Sequence, residues 1–64
     1  MTPKELIKIL ENRGFILKRV KGTHHFFVHP VTGKITVVPF HKRDLPKGTF
    51  YGILKQAGID KDSL

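Results

Sequence analysis

Between Phe15 and Phe40 the chain breaks twice, at Gly22 and across Pro30-Val31-Thr32-Gly33-Lys34, and neither break is long enough for a crossover. Parallel strands need a connection of a dozen residues or more, so runs joined this tightly must pair antiparallel. Three short runs lie around the breaks: FILKRV (15–20), HHFFVH (24–29) and ITVVPF (35–40). They are rich in aromatic and β-branched residues, which suit a pleated, half-buried surface. Pro39 has no N–H to give to a ladder, so the third strand ends there or lies at an edge.

Helical periodicity flanks the strands. Thr2-Pro3-Lys4-Glu5 is a helix start, in which Thr2 caps, Pro3 suits the first turn and Glu5 closes a capping box. Leu6, Ile9 and Leu10 share one face with Ile7 beside them, and Gly14 suits the left-handed residue that ends a helix. This predicts a helix over 3–13. After a polar connection at 41–48, Phe50, Ile53, Leu54 and Ala57 fall at i, i+3, i+4 and i+7, and Gly58 ends that helix. Asp60 can cap one last short turn. The expected fold is α+β in the order α-β-β-β-α. Both helices cover one face of a three-stranded antiparallel sheet and leave the other open. Sixty-four residues allow a single domain, 1–64, with a small core.

Composition narrows the function. The chain has no cysteine, which removes disulfides and thiolate metal sites and suits a reducing cytoplasm. No run approaches the roughly 18 apolar residues of a membrane span, and the amino-terminal stretch lacks the apolar centre of a signal peptide. A cytoplasmic protein with no membrane partner is expected. The net charge is +7. Residues 18–47 hold Lys18, Arg19, Lys21, Lys34, Lys42, Arg43 and Lys47 against Asp44 alone, so six of the seven net charges sit mid-chain. Such a distribution fits a nucleic-acid partner, although a basic surface also serves solubility alone.

Three of the four histidines fall within KGTHHFFVHP, residues 21–30. On a strand, His25 and His29 share a face but lie about 13 Å apart at roughly 3.3 Å per residue, too far for one metal ion. No metal is expected. There is no Gly-rich phosphate loop and no serine–histidine–acid set, so neither a small-molecule cofactor nor acyl transfer is expected. RNA cleavage asks for less, because RNA carries its own nucleophile in the 2′-hydroxyl. A neutral imidazole can take the proton, and lysines and arginines can hold the phosphate charge. By residue chemistry alone, an exposed histidine is more often a plain polar residue than a catalytic one. A non-catalytic RNA-binding module therefore stands beside the nuclease.

Three stretches narrow the choice. KGTHHFFVHP, ITVVPFH and LPKGTFYGILKQAGI together resemble the HicA family of toxin ribonucleases, in order and spacing, over nearly the whole chain. The resemblance implies a fold like that of double-stranded-RNA-binding domains. It also implies the activity of an mRNA interferase, an endoribonuclease needing no metal, and a HicB-like antitoxin partner that covers the open sheet face. The family's functional histidine follows Gly-Ser/Thr, which here is His24 after Gly22-Thr23, with threonine where serine is common. His24 would act as general base or acid, and Lys21, Thr23, Lys42 and Arg43 would contact RNA. Strand parity leaves His25 as a rival. If Phe26 and Val28 face the helices, His24 points to the core side and His25 to the open side. One of Phe26 and Phe27 should be core, and an exposed Phe27 could stack on a base or meet the antitoxin.

Overall fold

The structure, a computed structural model, describes residues 1–64. Its order is α1 (Pro3–Asn12), β1 (Ile16–Lys21), β2 (His24–Val28), β3 (Ile35–Pro39) and α2 (Lys47–Ala57), closed by a single 3-10 turn at Lys61–Ser63. The expected α+β arrangement is present: one antiparallel sheet in the order β1-β2-β3, with both helices on one face. No helix is long and apolar enough to cross a membrane.

The caps form as the sequence predicts. Thr2 Oγ1 accepts from the Glu5 amide at 3.2 Å, and the Thr2 amide donates to Glu5 Oε1 at 2.9 Å. The Thr2 backbone bond first, then its hydroxyl, holds the Glu5 carboxyl below its ordinary value. The cap is therefore favoured above the ordinary carboxylate pKa and is lost as pH falls through the lowered value. At the other end Gly14 takes φ +92°, and the amides of Gly14 and Phe15 reach back to Glu11 and Leu10. That is a Schellman close. Gly58, at φ +71°, ends α2 likewise, with Gly58 bonded to Lys55 and Ile59 to Leu54. In both closes the residue after the glycine, Phe15 or Ile59, folds back into the core.

α2 begins at Lys47, inside the stretch expected to be a polar connection. Pro46 cannot continue a helix backwards, yet its carbonyl accepts from the Phe50 amide at 2.9 Å and closes the first turn. A side chain at Gly48 would meet open space, so packing does not require glycine there.

The core joins Leu6 and Leu10 of α1 with Ile53, Leu54 and Ala57 of α2. Phe27 and Val38 reach it from the sheet, and Phe15, Leu45 and Ile59 from the connections. Thr36, 1 % exposed, also faces the helices, and its hydroxyl donates to Gln56 Oε1 at 2.9 Å, so this buried polar group is satisfied. Phe27 itself is 1 % exposed whereas Phe26 is only half-buried. This corrects the parity premise. His25 and Phe27 face the helices, and His24, Phe26 and Val28 face the open side. A base-stacking role for Phe27 is excluded by its burial.

β1 departs from the rest of the sheet. All six of its residues are exposed, because the helices pack over β2 and β3. Its pairing with β2 also slips between Leu17 and Arg19, leaving Lys18 as an extra residue. Such a bulge reverses which face the following residues occupy. Leu17 stands opposite Phe27 on the helix side, whereas Arg19 stands opposite Phe26 on the open side. Without the slip, Arg19 and Lys21 would both point to the helix side.

Candidate active site

The element Gly22-Thr23-His24 is a hairpin turn followed by the first residue of a strand. Gly22 takes φ +60° and Thr23 does not have positive φ. A two-residue loop with φ > 0 only at its first central position is the II′ arrangement, which asks for glycine there. The turn brings Lys21 directly opposite His24. Directly paired residues on one face have their Cβ atoms about 4.5–5.5 Å apart. His24 and Lys21 therefore stand side by side, both exposed, on the open face.

The other neighbours of His24 follow from the same register. Arg19 and Phe26 form the next pair along that face, with the Arg19 guanidinium carbon 4.6 Å from the centre of the Phe26 ring. Pro39 of β3 pairs with His24 on its other side, and the amide of Phe40 continues the ladder by donating to the Thr23 carbonyl at 2.7 Å. The connection carrying Lys42 and Arg43 thus leaves the sheet at the end where His24 stands, and both are exposed. A depression lined by Thr2, Lys4, Phe40, His41 and Lys42 opens there.

The remaining histidines are placed differently. His25 lies half-buried on the helix side, its ring 4.6 Å from that of Phe40 and tilted 31° to it. Its Nδ1 is buried and has no hydrogen-bond partner. His29, expected to end the second strand, sits just past it. Its Nδ1 accepts from the amides of Val31 and Thr32 at 3.1 and 3.2 Å, and its ring meets Phe15 edge-on at 5.2 Å. His29 is thereby occupied in shaping the turn at 29–34. No three of the histidine, aspartate and glutamate side chains gather at a spacing that could hold a metal ion.

Electrostatics sharpen the picture. The one ion pair joins the amino terminus to Asp44 at 3.9 Å, and no lysine or arginine takes part in one. None of the five acidic residues lies in the sheet. The cations beside His24 are therefore uncompensated, the arrangement expected where an external polyanion supplies the missing charge.

The sequence reading named Lys21, Thr23, His24, Lys42 and Arg43 for the site; the structure pairs Lys21 with His24 and adds Arg19 and Phe26, which the reading did not name there, as the next pair along that face. Their meeting depends on the bulge at Lys18, which arises only in the pairing of β1 with β2 and leaves no mark on either strand's own sequence.

No curated protein matches the chain. Residues 3–59 match the family model for the HicA toxin of bacterial toxin–antitoxin systems, and that span runs from the first residue of α1 to the core residue Ile59 after α2. A match over residues 3–59 of a 64-residue chain places the protein in the HicA toxin family.

Proposed function

We propose that the protein is an endoribonuclease toxin that cleaves mRNA at His24 and is silenced by a HicB-like antitoxin. The observation that carries this reading is the pair His24–Lys21, held side by side on an open, acid-free sheet face by the turn at Gly22-Thr23. In the proposed reaction His24 takes the proton from a ribose 2′-hydroxyl. The 2′-oxygen bonds to the adjacent phosphorus, and the bond from phosphorus to the 5′-oxygen breaks. The 5′-oxygen leaves with a proton from solvent. Lys21 holds the charge that develops on the phosphate, and Thr23, Lys42 and Arg43 grip the neighbouring backbone. The products are a 2′,3′-cyclic phosphate and a 5′-hydroxyl.

The antitoxin would act by covering. A standard interface buries about 800 Å² on each partner, against 4526 Å² of exposed surface for the whole chain. A partner seated on the open face would cover His24 without any change in the toxin's shape.

Incubating the purified protein with RNA in excess EDTA tests the reading. Fragments ending in cyclic phosphate are expected. A mobility shift with no fragments would instead make the protein a non-catalytic RNA-binding module, and cleavage that stops on chelation would sink the metal-free chemistry. Binding should also weaken with salt, with log K falling by roughly 0.7 for each phosphate contact per unit of log[salt] on single strands. The double variant Lys42→Ala/Arg43→Ala should flatten that slope by about one to two contacts' worth. An unchanged slope would place the RNA away from this connection.

A further inference from the structure

We propose that Phe26 is the floor of a nucleobase-binding site, and that the preferred substrate of the His24 site is therefore unpaired RNA. The inference rests on the reading of the protein as an RNA-cleaving toxin. Three observations support it. First, Phe26 is a half-buried aromatic ring on the uncovered side of the sheet, outside the core that Phe27 serves. Second, a cavity of about 360 Å³ opens over it, lined by Lys18, Arg19, Phe26 and Ile35, with no acidic residue in its wall. That lies within the 300–1,000 Å³ of small-ligand pockets. Third, the bulge at Lys18 turns Arg19 onto this face, where its guanidinium already rests 4.6 Å from the ring centre. An aromatic face flanked by cations is the recurring platform for single-stranded nucleic acid. Any base has a π-face to stack, and the cations take the phosphates.

The register joins this platform to the chemistry. Phe26 and His24 are two residues apart on one strand and share its open face, which puts them about 7 Å apart along β2. A base stacked on Phe26 would thus bring an adjoining phosphate to His24 and Lys21. The Arg19 guanidinium, displaced from the ring, would close on the base from above or take its phosphate. A duplex presents no free base face, and double-stranded RNA is read by groove shape and backbone instead. A rigid duplex would leave Phe26 unused.

The test uses a non-cleavable, 2′-O-methyl single-stranded oligonucleotide carrying 2-aminopurine, so that binding is read whether or not the protein cuts. The probe's fluorescence should be quenched on binding. Phe26→Ala should remove the quench and weaken binding about ten- to a hundredfold, the range for losing one stacked base. Phe26→Tyr should restore both, and the salt slope should be unchanged in either variant. Ile16→Ala, an apolar change on the same face but outside the cavity, should bind like the parent and so controls for a general loss of surface packing. A duplex of the same sequence should compete at least tenfold more weakly. Unchanged quench and affinity in Phe26→Ala would overturn the site, as would equal competition by the duplex. Intact RNA binding together with lost antitoxin binding would assign the cavity to the protein partner, and so would also overturn it. Stacking without cleavage on ordinary RNA would leave the base site standing and remove the nuclease reading, so the two failures are distinguishable.

Discussion

Replacing His24 by alanine should lower RNA cleavage at least a hundredfold and abolish growth arrest while the protein stays folded. A positioned general base contributes about 10²–10⁴ in rate. The fold should hardly notice the change, because His24 is exposed at the first position of β2 and reaches no part of the core. His25→Ala makes the opposite expectation. It removes a half-buried ring stacked on Phe40, together with a buried Nδ1 that has no partner. Stability should shift, and cleavage per folded molecule should stay close to that of the parent. Single-turnover cleavage of a defined RNA, with folded fraction read by circular dichroism, measures both. Normal cleavage by His24→Ala and none by folded His25→Ala would exchange their roles.

The largest effect on stability is expected at Phe27. Truncating a buried phenylalanine costs about 3–5 kcal/mol, through lost burial and the cavity left behind. At roughly 0.05–0.15 kcal/mol per residue, a 64-residue chain has about 3–10 kcal/mol in total. Phe27→Ala should therefore lower the melting temperature by more than about 10 °C and leave a large unfolded fraction at 37 °C. Phe26→Ala, one residue away, should cost less than half as much, since Phe26 packs on the open face and remains partly in water. Urea unfolding of the two variants side by side gives the comparison. Equal losses would mean that both rings serve one core, contrary to the register of β2 with β3.

The agreement between sequence and fold is closest where the signal is local. The capping box at Thr2 and Glu5, the glycines that close both helices and the Asp60 cap depend on residues within a few positions of one another, and each forms as read. The strand boundaries shift by one residue where a side chain has a competing task. Phe15 leaves the sheet for the core, and His29 leaves it to accept two turn amides. Of the site, His24 was singled out through the Gly22-Thr23-His24 element of the family resemblance, with His25 left as its rival. The pairing of Lys21 with His24 came only with the structure, because the first strand was expected to end at Val20. Arg19 and Phe26 were not legible as part of it, because their meeting depends on a bulge that is a property of two strands together.

The sequence by itself determined the element order and the antiparallel pairing, since connections this short leave no room for a crossover. It could not determine which face of β2 is buried. Phe26 and Phe27 are adjacent and identical, so alternation fits either face equally well. That choice was made by the tertiary structure. Phe27 lies opposite Thr36 and between the core residues of the two helices, and once it is inside, strand geometry turns His25 inward and His24 outward. Burial of one phenylalanine thus decides which histidine meets the solvent.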